Sequence, residues 1–198
     1  MVLGRERRFN IYLYGIGVPE DEIKAASFYR KAAEQNNINA IAALGYLYLR
    51  GQGVPQNQTE AVQFFRRAAD QGDPYAQRMV GVCYHAGLGI SQDLTEARRW
   101  HLLAAEQEDA VSQYNLGHMY SNGEGIEQDY DEAFHWYQKA AQSGYDAAQN
   151  SLGYMYQNAL GVPEDQHTAE DWYLKAAEQG NADAQYNLGI LYERGSKH

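Results

Sequence analysis

The stretch Leu44-Gly45-Tyr46-Leu47-Tyr48 sets the frame of this 198-residue chain, because its pattern returns four times, each time 36 residues on. Its glycine becomes Gly81, Gly117, Gly153 and Gly189, and its second aromatic becomes Tyr84, Tyr120, Tyr156 and Tyr192. An alanine pair keeps the same step, at Ala32-Ala33, Ala68-Ala69, Ala104-Ala105, Ala140-Ala141 and Ala176-Ala177. No insertion breaks the register. A period of this length marks a stacked repeat array, in which a unit buries its apolar faces only against its neighbours.

One period, residues 37–72, reads as a helical hairpin. From Asn39 to Arg50 the apolar residues Ile41, Leu44, Leu47 and Tyr48 fall at helical spacing. Gly51-Gln52-Gly53 stops that helix and Val54-Pro55 bars its continuation. Asn57 is an N-cap with Glu60 three places on, and Asp93 with Glu96 and Asp129 with Glu132 repeat the pair. Asp21 and Asp165 keep the cap alone. A second helix, with Ala61, Phe64, Phe65, Ala68 and Ala69, ends at Gly72, as its copies end at Gly144 and Gly180. The fold class is therefore all-α, a solenoid of 36-residue hairpins running over residues 1–198. It has a partial first helix in 1–14, full units at 37–72, 73–108, 109–144 and 145–180, and a closing helix at 181–195. This predicts eleven helices, six of the first type and five of the second. Neither end carries a dedicated cap helix, which leaves a longer array open.

A glycine inside a helix costs about 1 kcal/mol relative to alanine. Its five recurrences point to a place where another helix comes too close for a Cβ, with Ala25, Ala61, Ala97, Ala133 and Ala169 as its small partners. Phe28, Phe64, Trp100, Trp136 and Trp172 are expected to fill the wider gaps between hairpins.

The net charge of -10 argues against a nucleic-acid backbone or an anionic membrane as the main partner. The one cysteine excludes an intrachain disulfide and a thiolate metal cluster. Met1 to Arg8 lacks the apolar core of a signal peptide. The longest apolar run, Ala40 to Leu49, is about half the ~20 residues that span a bilayer. The reading is a soluble chain with no membrane insertion, its compartment open.

With Gly-x-Gly-Val-Pro, Asp-x-x-x-Ala, Lys-Ala-Ala-Glu-x-Gly and Ala-Gln-x-x-Leu-Gly-x-x-Tyr in hand, the chain resembles the Sel-one-like repeat family, a relative of the tetratricopeptide repeat. Residues 176–189, from Ala176-Ala177-Glu178 to Asn187-Leu188-Gly189, are a near-ideal instance. The resemblance implies a right-handed superhelix of α-hairpins with a concave inner face, and an adaptor or scaffold role in protein complexes. It supplies no catalytic residues. The chain departs from the pattern at Glu108, where a terminating glycine is replaced, at Val111-Ser112-Gln113, and at Ala159, where the first glycine of a loop is replaced.

The repeat also weighs the residues that could carry chemistry. Cys83 shares its slot with Leu47, Met119, Met155 and Leu191, so it reads as a small core hydrophobe. His101 stands where Tyr29, Phe65, Tyr137 and Tyr173 stand, and reads as a packed ring. Glu132 and His135 have the spacing of half a di-iron site, but the second half is missing. The Gly-x-Gly loops follow helices rather than strands, which rules out a dinucleotide fingerprint. No Ser-x-x-Lys occurs. No cofactor and no metal are expected.

In hairpins of the tetratricopeptide kind the first helix lines the groove. With Ile41, Leu44, Gly45 and Tyr48 as its core face, the exposed stripe passes through Asn39, Ala42, Tyr46, Leu49 and Arg50. Advanced by the repeat, it selects a partner-binding set: Tyr46, Arg50, Tyr75, Arg78, His85, Tyr114, His118, Asn122, Asn150, Tyr154, Asn158 and Tyr186. Tyrosine, arginine and asparagine are types that serve binding surfaces. The part from Arg50 to His118 is neutral to basic, which suits an extended or helical peptide of acidic character. The competing reading packs Tyr46, Tyr114, Tyr154 and Tyr186 between hairpins. The expected function is a non-catalytic interaction scaffold for a protein or peptide partner. The alternatives are a small-molecule or metal site around His85 and His118 with Arg78, and self-association through the end helices.

Overall fold

The computed structural model describes residues 21–195, with side chains to residue 193. Among them are ten helices and no strand. They are α1 (Glu22–Glu34), α2 (Ile38–Arg50), α3 (Gln58–Ala69), α4 (Pro74–Ala86), α5 (Leu94–Ala105), α6 (Ala110–Asn122), α7 (Tyr130–Gln142), α8 (Asp146–Gln157), α9 (Gln166–Glu178) and α10 (Ala182–Gly195). The helix expected within residues 1–14 lies outside the described residues. The even-numbered helices are the first of each hairpin. No helix of the described residues is long and apolar enough to cross a membrane.

The described residues fall into two compact units, divided between Ala97 and Arg98 within α5. In the first unit α1 packs on α2, α2 on α3 and α3 on α4. In the second, α6 packs on α7, α7 on α8, α8 on α9 and α9 on α10. The fold is an all-α repeat solenoid.

Both helix types are set by caps at their starts. Asn57 and Asp93 accept from the backbone N–H of Glu60 and Glu96, and Asp129 and Asp165 do the same for Glu132 and Thr168. The first helices have their own caps, Asn37, Asp73, Asp109 and Asn181, each accepting from the N–H three residues on. Such a side-chain acceptor contributes about 1 kcal/mol to its helix. At the C-termini of α2, α4 and α6, Gly51, Gly87 and Gly123 take the left-handed conformation. Glu108 and Ala159, which replace glycines, keep that conformation at φ 65 and φ 54, as does Asn36 at φ 60.

The recurrent helix glycine has a different partner from the one its spacing suggests. A Cβ at Gly45 would lie 2.7 Å from the ring of Phe65, one at Gly117 2.6 Å from Tyr137, and one at Gly153 2.6 Å from Tyr173. The glycine therefore seats the aromatic ring of the next helix rather than the small alanines of the neighbouring slot. At Gly189 a Cβ would meet nothing within 4 Å. Ala61, Ala133 and Ala169 are buried beside these rings. Of the gap-filling aromatics, Phe64 stacks on Tyr48 at 5.4 Å and Trp136 packs with Ala105 and Leu116, whereas Phe28 is 65% exposed.

The second glycine slot of the loops after α2, α4 and α8 has a stricter reason. A Cβ at Gly53 would strike the carbonyl of Glu22, one at Gly89 that of Gln58, and one at Gly161 that of Tyr130 at 2.6 Å. The loops after α2, α4 and α8 thus press, backbone on backbone, against the start of the second helix of the preceding hairpin. Within the loops Gln56, Gln92 and Gln128 donate to the carbonyls of Leu49, His85 and Ser121, at 2.9, 2.7 and 2.7 Å.

Candidate functional site

The face under consideration is built by the first helices, and each unit presents its own portion. Its inner margin is a slot that the sequence makes apolar at Ile41 and polar afterwards. Gln77, Gln113 and Gln149 are buried, and their side-chain amides, with that of Gln185, donate to the carbonyls of Ala69, Ala105, Ala141 and Ala177. These carbonyls end the second helices, and each also accepts from the backbone N–H three residues on, in the turn that follows. The glutamine of the Ala-Gln motif is thus a hairpin fastener. Its 36-residue recurrence was the available signal, and reading the slot from Ile41 as apolar hid it.

In the first unit the stripe is aromatic and basic. Arg50 lies over the ring of Tyr46 at 5.8 Å, and Arg78 over Tyr75 at 5.2 Å. Tyr75 meets Phe65 edge-on at 6.3 Å, so the ring that fills the Gly45 notch also supports the surface pair. Tyr46, Tyr75, Arg78 and His85 are half-buried and Arg50 is exposed. Ala42, expected on the exposed stripe, is buried: α2 is enclosed from Ala40 to Gly45, and a methyl group does not reach past that cover.

In the second unit the same stripe runs through α6, α8 and α10. Tyr114 is half-buried, 5.6 Å from Tyr137 and 5.2 Å from Tyr145. Burial raises its hydroxyl above the usual tyrosine range, and the charges of Tyr145, Asp183 and Asp146 add to the effect. Tyr137 is raised further, first by its own burial and then by the charge of Tyr114. Tyr114 is thus as much a packing residue as a surface one, as the competing reading of the sequence held for it. Tyr154 and Tyr186 are not: they are 51% and 70% exposed. Between them Asn150 accepts from Asn187 at 2.9 Å. His118 is exposed, with Asn122 Nδ2 3.0 Å from one ring nitrogen and Glu124 3.5 Å from the other. Asn158 is exposed at the end of α8 and bonds the Tyr154 carbonyl.

One residue here escaped the sequence reading. Tyr145 occupies the cap slot of Asn37, Asp73, Asp109 and Asn181, and α8 begins without a side-chain cap. The loss of about 1 kcal/mol is of the same size as a tilted aromatic pair, about 0.5–1.5 kcal/mol. The Tyr114–Tyr145 contact therefore offsets the missing cap. Comparing the cap slots would have exposed the substitution.

No group of three His, Cys, Asp or Glu side chains suited to a metal forms among the described residues. Cys83 is buried, and desolvation pushes its thiol up to about 11, so it is not held as a thiolate. His101 is buried with Nδ1 3.5 Å from Ser112 Oγ, a packed ring as its slot predicts.

The Sel1 repeat model matches residues 3–37, 38–73, 74–109, 110–145, 146–181 and 182–197, almost the whole chain. The chain belongs to the Sel1 repeat family. Among solved structures, this Sel1 repeat protein is similar to a protective antigen of uropathogenic Escherichia coli displaying an SLR fold. The two are 38% identical, with a TM-score of 0.88 over 96% of this chain and 41% of that one. A Sel1 repeat protein from Oxalobacter formigenes is 36% identical, with a TM-score of 0.89 over 96% of this chain and 78% of that one. The chain thus spans well under half of the first relative's length. Helicobacter pylori cysteine rich protein B, 22% identical with a TM-score of 0.54 over 67% of this chain and 96% of that one, shares the fold alone. No curated protein matches the chain.

Proposed function

We propose that this Sel1 repeat protein is a non-catalytic interaction scaffold that holds a segment of a partner protein on the face of its first helices. The observation that supports it most is the exposure of Tyr154 and Tyr186 on that face, 51% and 70%. Large amphipathic rings left in water on a rigid helical frame bring apolar area and a hydrogen-bonding hydroxyl at little conformational cost. The asparagines beside them can bond the backbone of an extended segment. The family resemblance points the same way, since it implies an adaptor role. The binding set carried into this proposal is Tyr46, Arg50, Tyr75, Arg78, His85, His118, Asn122, Asn150, Tyr154, Asn158 and Tyr186, with Tyr114 as the packed base beneath it.

The test compares two surface variants. Tyr154→Ala with Tyr186→Ala strips the first-helix face. Phe28→Ala with Leu174→Ala strips exposed apolar groups of α1 and α9, which are 65% and 38% exposed. Both sets lie outside the core, so wild-type melting is expected. Partners cross-linked by the wild type in lysate of the source organism are expected to survive the second variant and vanish with the first. Equal capture by both variants would overturn the assignment of the face.

A further inference from the structure

The face of the second unit has a charge character opposite to that of the first. In α2 and α4 the charged residues are Arg50 and Arg78, with no acid. In α6 and α8 there is no lysine or arginine, α8 and α10 open with Asp146 and Asp183, and the one arginine of these helices, Arg194, stands at the opposite end of α10. The lysines described in this unit, Lys139 and Lys175, sit on the second helices, where they lie over Trp136 and Trp172 at 4.5 and 4.1 Å. In the first unit the tyrosines of the stripe already have cations above them, Arg50 and Arg78. In the second, Tyr114 and Tyr145 form a ring pair at 5.2 Å, Asp146 directly follows Tyr145, and the bond from Asn181 to Asp146 ties the start of α10, where Asp183 stands, to the start of α8. Asn181 Nδ2 holds Asp146 Oδ2 at 2.8 Å, which fixes one carboxylate beside the rings and leaves its other oxygen. Asp183 is exposed.

Aromatic faces attract a cation through their quadrupole, and a neighbouring carboxylate adds charge-assisted hydrogen bonding. The residue that completes the ring pair, Tyr145, is the one that departs from the cap slot of every other first helix described. We infer that Tyr114, Tyr145, Asp146 and Asp183 form a receiving site for an arginine or lysine side chain of the partner segment. The site rests on the scaffold reading and gives its partner a chemistry: a basic residue reaches this unit, next to apolar contacts at Tyr154 and Tyr186. Arginine is the better fit, because its planar group stacks on a ring while its fork bonds a carboxylate.

The probe is a short Gly-Ser peptide carrying paired arginines, with its citrulline counterpart as the uncharged twin, titrated at fixed ionic strength and followed by tyrosine NMR signals. Saturable shifts of Tyr114 and Tyr145 are expected with arginine and not with citrulline. Tyr145→Asn restores the cap used at Asn181 and leaves the net charge unchanged, so the helix is retained. It is expected to weaken binding by about fivefold or more. Asp183→Asn should weaken it likewise, whereas Asp171→Asn, on the exposed side of α9, should not. Equal losses in the two aspartate variants with no effect of Tyr145→Asn would reduce the attraction to the chain's general acidity and overturn the site. Absence of saturable tyrosine shifts would overturn it too. Neither result touches the scaffold reading, whose test rests on Tyr154 and Tyr186.

Discussion

Gly117 and Gly189 occupy the same slot of the repeat and face different surroundings. A methyl group at 117 would sit 2.6 Å from Cδ1 of Tyr137. That ring cannot easily give way, because it is buried and braced by Tyr114 at 5.6 Å. Overpacking of this kind costs about 1–3 kcal/mol. At 189 a methyl would meet nothing, and alanine improves a helix interior by up to about 1 kcal/mol. Gly117→Ala is therefore expected to lower stability in denaturant unfolding, and Gly189→Ala to leave it unchanged or raise it. Losses of equal size in both would show that the slot acts through the helix backbone and not through the ring seated on it.

At the scale of the element, a stop without glycine is a stop under strain. Ala159 holds φ 54 where the loops after α2, α4 and α6 have glycine. A Cβ in the left-handed region costs about 1–2 kcal/mol, against which glycine loses some chain entropy on folding. Ala159→Gly is thus expected to stabilise by about 0.5–1 kcal/mol, read as a higher denaturation midpoint with an unchanged slope. A lower midpoint would mean that the alanine methyl makes contacts worth more than the strain. The helices themselves were legible: Asn57, Asp93, Asp129 and Asp165 cap where their spacing placed them. These devices act within three or four residues, so a linear pattern reveals them. The glutamine fasteners were not, since Gln113 reaches back to Ala105 across a turn whose geometry the pattern does not state.

At the scale of the molecule, the main helix contacts within each unit join consecutive helices. Stability in such a chain is close to a sum of hairpin and nearest-neighbour terms, so damage stays local. Hydrogen exchange of Gly117→Ala is expected to show lost protection in α6, α7 and α8, with α2 and α3 keeping theirs. Uniform loss along the chain would instead mark a single cooperative body. Function divides along the same lines. The net charge of -10 is shared unevenly between helix types and units, so Arg50 and Arg78 stand on one portion of the candidate face and Asp146 and Asp183 on another. A bulk charge hides that division.

The sequence by itself determined the period, the two helix types, the caps of the second helices, the glycine stops, the family, and the core positions of Cys83 and His101. All of these follow from residue identity at a fixed spacing. The tertiary structure decided what each slot is for: the ring of the next helix on Gly45, Gly117 and Gly153, and the carbonyls of Glu22 and Gln58 against Gly53 and Gly89. It also decided which tyrosines of one stripe remain in water, Tyr154 and Tyr186, and which is half-buried among other rings, Tyr114. The reason is the same in each case. A helical spacing fixes the direction of a side chain around its own axis, but only the neighbouring helix, arriving from elsewhere in the chain, settles whether that direction meets a ring, a backbone or solvent.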